Sequence, residues 1–116
     1  MTPQDGTDEK SAPDIDAILN QMWVRFLPDF YERVAVLEAA GRDRAAGNLT
    51  AEGRAAAHSA AHKLAGSLGT FGLMRGTELA REFERACANE TACAAIEPSR
   101  LQVIADQIRT IISQRK

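Results

Sequence analysis

Two histidines, two cysteines and a run of small residues around one of the histidines are the groups in this chain that could do chemistry. His58 and His62 stand four apart in the stretch AHSAAHKLAGSLGTFGL, residues 57–73. On a helix that spacing puts both on one face. Histidines at i and i+4 also serve metal sites, but no carboxylate or thiol is fixed beside them in sequence, so no metal is expected. A neutral imidazole is a competent nucleophile near pH 7, because its reference pKa is ~6.5. Cys87 and Cys93 are the only cysteines. They make no disulfide framework and fit a reducing compartment. Cys87 falls on an apolar stripe and reads as core, whereas Cys93 falls in a connection and reads as exposed. There is no glycine-rich phosphate loop and no GxxxxGK[ST] stretch, so the chain is not expected to bind ATP or to phosphorylate itself.

Helical phase separates His62 from the core. At ~100° per residue, Ala57, Ala61, Leu64, Leu68 and Phe71 share one stripe, and His62 points nearly opposite. Its outer-face neighbours are Ala55, Ser59, Gly66 and Gly69, with His58 and Ala65 at the edge. Glycine inside a helix costs ~1 kcal/mol relative to alanine. Two such residues on an exposed face either let another surface approach the imidazole or permit tight contact with a neighbouring helix. Phase alone leaves both readings open.

The segment resembles the histidine phosphotransfer (HPt) family, whose motif places the active histidine ahead of a Leu, a Gly, a small residue and a later Gly near the helix end. Here His62 is followed by Leu64, Gly66, Ser67, Phe71 and Gly72. The next helix, with Leu79, Glu82 and Glu84, is also similar to the family's. The resemblance implies that His62 accepts and donates a phosphoryl group, exchanging it with aspartates of response-regulator receiver domains, with a hybrid histidine kinase as a further partner. It implies a phosphotransfer protein with no kinase activity and no cofactor of its own, since the receiver brings the aspartyl phosphate, Mg²⁺ and most of the catalytic groups. A partner-docking surface of His58, Ser59, Lys63, Ala65, Gly66 and Gly69 is then expected around His62. The alternative is a helical adaptor that binds and titrates a receiver without transfer. One departure stands out: many members carry Lys three residues after the active histidine, where this chain has Ala65. Lys63 lies one residue after His62, about 100° round the helix.

The elements that must hold this face are helices. Residues 1–13 read as a disordered lead-in, and residues 14–116 as the folded domain. Asp14 can cap a helix from Ile15, with Ile15, Ile18, Leu19, Met22 and Phe26 as its apolar stripe. Pro28 fits either the first turn of a new helix or a kink in a long one. The stripe resumes at Phe30, Val34 and Leu37 and ends near Gly47-Asn48, and Trp23 reads as packing against the bundle. Thr50 caps a helix over Ala51 to Thr70, and a break follows at Phe71-Gly72. The next helix runs from Met74 to about Ala88, where Glu78, Arg81, Glu82 and Arg85 read as a solvated face with helical ion pairs. A polar connection leads to Pro98, placed at a first helical position. The last helix carries Leu101, Ile104, Ala105, Ile108, Ile111 and Ile112, the cleanest amphipathic repeat of the chain. Short connections make neighbours antiparallel. The expected fold is all-α, an up-down antiparallel four-helix bundle with an additional or kinked N-terminal helix.

Composition sets the remaining bounds. At 116 residues, 45% hydrophobic and 26% charged, the chain suits one globular domain. A net charge of −2 without a basic block gives no nucleic-acid footprint. No apolar run reaches the ~18 residues of a membrane span, and the polar first dozen residues lack a signal core. A cytoplasmic monomer is expected.

Overall fold

The computed structural model describes residues 14–115, and the expected disordered lead-in lies outside the described residues. Five helices follow in chain order: α1 Ile15–Ala45, α2 Ala51–Thr70, α3 Met74–Ala86, α4 Glu90–Ala95 and α5 Arg100–Gln114. No strand occurs among the described residues. The four long helices pack in the cyclic order α1, α2, α3, α5, an antiparallel bundle in which each buries one apolar stripe.

The caps act where the sequence places them. The Asp14 carboxylate accepts from the Ala17 amide, and Thr50 Oγ1 accepts from the Gly53 amide at 2.9 Å. These side chains satisfy amides that a first helical turn leaves unpaired. At the far end of α2, the Gly72 amide donates to the Gly69 carbonyl and the Leu73 amide to the Leu68 carbonyl. This double closure puts Gly72 at φ +75°, a left-handed conformation that favours glycine. The chain turns back sharply there, which makes α2 and α3 an antiparallel pair.

The core is built from the predicted stripes. Val34, Leu37, Leu64, Leu68, Leu79, Phe83, Leu101, Ile104, Ile108 and Ile112 are all buried. One end is closed by aromatics: Trp23 lies 5.2 Å from Phe30 and 5.1 Å from Phe71 between ring centroids, and the Arg115 guanidinium stands 4.8 Å over the Trp23 ring.

Of the two outcomes open at Pro28, the proline lies inside one long helix, α1, which continues through it. Four expectations need correction. The half of α1 before Pro28 buries Trp23, whereas Ile15, Ile18, Met22 and Phe26 are exposed. At ~1.5 Å per residue, α1 runs about 45 Å against about 22 Å for α5 beside it, so its first turns extend past the end of their neighbour. The connection after α3 contains α4, capped at its start by Asn89, whose Oδ1 accepts from the Ala92 amide. Arg44, far away on α1, donates to the Cys93 and Ile96 carbonyls at the other end. Cys93 is therefore buried rather than exposed, as is Cys87, whose thiol burial pushes up to about 12. Finally, α5 begins at Arg100 and not at Pro98, which lies in the preceding turn. There the Glu97 carboxylate accepts from the Ser99 hydroxyl at 2.6 Å.

Two bidentate ion pairs tie α5 to the bundle. Arg109 donates to both carboxylate oxygens of Glu38 on α1, and Arg100 to both of Glu82 on α3. Glu82, expected in a pair within its own helix, instead bridges two. Hydrogen bonding from each guanidinium holds Glu38 and Glu82 below the ordinary carboxylate range. A lowered folded-state pKa contributes stability that is present above the unfolded value and lost as pH falls through the folded one. The urea midpoint is therefore expected to stay level from pH 7 to about 5 and to drop below about 4.5. Because both pairs are partly exposed, the double Glu38→Gln, Glu82→Gln variant should lose no more than ~2 kcal/mol at pH 7 and show a shallower acid limb. An acid limb equally steep in that variant would contradict the assignment.

Candidate functional site

The α2–α3 hairpin that turns at Gly72 builds the site. Its two helices approach closely near the turn. The buried Thr77 hydroxyl donates to the Ala65 carbonyl at 2.9 Å, and a Cβ on Gly76 would come within 2.9 Å of Leu68 Cδ1. About two turns further along α3, Glu84 reaches back to α2. Its Oε2 lies 2.8 Å from His62 Nδ1 and 3.9 Å from His58 Nε2. The His62 side chain is 72% exposed and that of Glu84 only 21%, so a held carboxylate supports a ring that is open to solvent.

This contact bears on which ring nitrogen keeps its lone pair in a neutral imidazole. An ionised carboxylate only accepts hydrogen bonds. With Glu84 ionised and the ring neutral, the 2.8 Å contact assigns the proton to Nδ1 and leaves the lone pair on Nε2. The carboxylate also orients the ring, as second partners of functional histidines generally do. The arrangement can present one ring nitrogen, with its lone pair free, on a side chain that is open to solvent. Among the described residues, no group of three or more His, Cys, Asp or Glu could hold a metal ion. No helix of the described residues is long and apolar enough to cross a membrane.

The residues expected around His62 fall into three sets. His58 shares its face and its carboxylate. Gly66 is exposed, and a Cβ built on it would meet nothing within 4 Å, so this glycine leaves open space beside the ring. Ser59 and Lys63 line a different feature, a groove between α1 and α2 that also includes Glu32, Arg33 and Val36. Ala65 is a correction: it is 3% exposed, turned into the bundle where α3 crosses, and its side chain cannot form part of a docking surface. Gly69 is half-buried, and its Cβ would stand 3.3 Å from Thr77 Oγ1. The two readings of the glycines thus divide between them: Gly69 allows helix contact, and Gly66 keeps a surface clear.

Glu84 is the residue that the α2 motif does not reveal. Its signal lies in the hairpin register. His62 is ten residues before Gly72 and Glu84 twelve after it, which brings the two to similar heights on antiparallel helices.

Comparison with known proteins identifies one family, the Hpt domain, whose match covers residues 21–114, most of the chain. Protein RcaC from Microchaete diplosiphon is 38% identical over 68 residues, which is 59% of this chain and 10% of that protein. The chain thus matches about a tenth of the length of this curated relative. No solved structure matches the chain.

Proposed function

This chain belongs to the Hpt domain family and is a phosphorelay intermediary of two-component signalling, and from that premise we propose that His62 is the residue that carries the phosphoryl group, on Nε2. The observation that carries this reading is the 2.8 Å contact between Glu84 Oε2 and Nδ1 of a largely exposed ring. In the forward step the Nε2 lone pair attacks the phosphorus of a receiver's aspartyl phosphate. The N–P bond forms as the P–O bond breaks, and the aspartate leaves as a carboxylate. The proton on Nδ1 stays in place, so the ring becomes cationic beside the Glu84 carboxylate and no proton has to move. The reverse step hands the group to a second receiver aspartate.

Phosphoryl transfer asks mainly for in-line positioning and charge neutralisation. This chain contributes the nucleophile, its orientation and a clear approach over Gly66. The acyl phosphate and Mg²⁺ come with the receiver. The module works in the cytoplasm, with response-regulator receivers or a hybrid histidine kinase as partners.

Incubation with a phosphorylated receiver domain tests the proposal. Acid-labile label is expected on the wild type and none on His62→Gln. A wild type that binds the receiver yet takes no label would instead be an adaptor, and the relay reading would fall.

A further inference from the structure

Phosphorylation at Nε2 sets a dianionic group across a five-membered ring from the Glu84 carboxylate, on a face of α2 that supplies no cation of its own. Ala65 is buried, Gly66 has no side chain, and Lys63 lines the groove toward α1 with Glu32 and Arg33. The hairpin brings one in from α3. Thr77 contacts α2 at Ala65 and at the Gly69 position, and Glu84 contacts it at His58 and His62. Arg81 lies between these two anchors, four residues after Thr77 and three before Glu84. At ~100° per residue it is about 40–60° further round α3 toward solvent than either. That position is on the outer edge of the seam with α2, between the level of the Thr77 contact at Ala65 and that of the Glu84 contact at His62. Arg81 is exposed.

The other basic residues of α3 are directed elsewhere. Arg75 pairs with Glu78 at 3.3 Å, and Arg85, one residue after Glu84, is about 100° round α3 from it, on the side of Glu82, whose carboxyl its charge helps to hold down. Arg81 takes part in none of the hydrogen bonds or ion pairs among the described residues.

Resting on the reading that His62 is phosphorylated, we propose that Arg81 is the phosphoryl-binding residue of this module, its guanidinium donating to two phosphoryl oxygens once the group is on Nε2. A guanidinium is well suited to hold a phosphoryl group, because its planar fork matches two oxygens of a phosphate at once and it stays charged at any pH of interest. Glu84 and Arg81 then divide the charge of the phosphorylated ring, the carboxylate against the cationic imidazole and the guanidinium against the oxygens.

The test uses phosphoramidate as a small donor, which transfers its phosphoryl group to the ring and leaves as ammonia, so that no docking partner enters. ³¹P NMR then follows the last protonation of the phosphoryl group. Arg81→Gln, checked for unchanged helicity, should raise that midpoint by about one pH unit, which is roughly a tenfold change in proton affinity. Arg81→Lys should restore part of the difference, and Lys63→Gln should leave it where it was. An Arg81→Gln midpoint equal to the wild type's, or a shift produced by Lys63→Gln instead, overturns the proposal. A residue used only for docking would not move this titration. If phosphoramidate places no label on His62 of the wild type, the phosphohistidine reading itself fails and this proposal with it.

Discussion

Proteins carrying Gly66→Arg or Gly66→Gln are expected to fold as well as the wild type and to lose phosphoryl exchange with a receiver by roughly 100-fold or more. Stability should hold because a side chain at this position meets nothing within 4 Å. Replacing a helical glycine also removes a conformational cost of ~1 kcal/mol, so the thermal midpoint should stay level or rise. Transfer should fail because Gly66 lies one turn from His62 on the same side of α2, and the reacting phosphorus must come in line with Nε2 and the leaving oxygen. A displacement of ~1 Å at such a centre costs about two orders of magnitude. Two variants are needed because arginine adds charge as well as bulk, and glutamine adds bulk alone. Stopped-flow or gel transfer assays at matched concentrations measure the rate. Undiminished transfer in both folded variants would show that no partner surface passes over Gly66.

Gly41 gives the opposite outcome for the same residue type. It is buried where α1 crosses α5, and a Cβ there would stand 2.9 Å from both the Cα and the amide nitrogen of Gln102. These are backbone atoms, which cannot swing aside as the end of a side chain can. Gly41→Val must therefore push the two helices apart at a crossing tied further along by Arg109 and Glu38. Overpacking of this kind typically costs ~1–3 kcal/mol, and the upper end is expected because the obstacle is backbone. For a domain of this size that lowers the thermal midpoint by roughly 10 °C. Transfer measured well below the midpoint should be nearly unchanged, since Gly41 is remote from the α2–α3 seam. A Gly41→Val protein as stable as the wild type would mean that α1 and α5 do not approach so closely.

The contrast between these glycines marks what the sequence discloses. The caps at Asp14 and Thr50 and the stripes through Leu64, Leu68, Ile104 and Ile108 are local signals, with periods and side-chain preferences that read directly along the chain. The exposure of His62 follows from the same phase. Features decided by a second helix do not follow from it. Ala65 sits at the edge of the outer face by phase, and only the crossing of α3 at Thr77 buries it. Gly69 and Gly66 look alike until that crossing is placed. Six residues of α4 are too few to show a period, and its end is held by Arg44 from α1. The stripe from Ile15 to Phe26 signals a helix but does not say whether a partner reaches it. Pro28 permits two outcomes, and burial of Trp23 and Phe30 on either side of it favours a continuous helix.

The site shows the same division. The motif after His62 is contiguous and points to the proposed phosphoacceptor, while Glu84 belongs to another helix and becomes visible through the register about Gly72. Yet Glu84 is what assigns the proposed chemistry to one atom. With a carboxylate at 2.8 Å from Nδ1, the free lone pair belongs to Nε2. The most direct measurement is therefore the site of phosphorylation itself: phosphorylate the ¹⁵N-labelled protein through a receiver domain and map the bonded nitrogen by ³¹P–¹⁵N correlation NMR. Phosphorus coupled to Nε2 of His62 is the predicted result, whereas coupling to Nδ1, or to either nitrogen of His58, would contradict it.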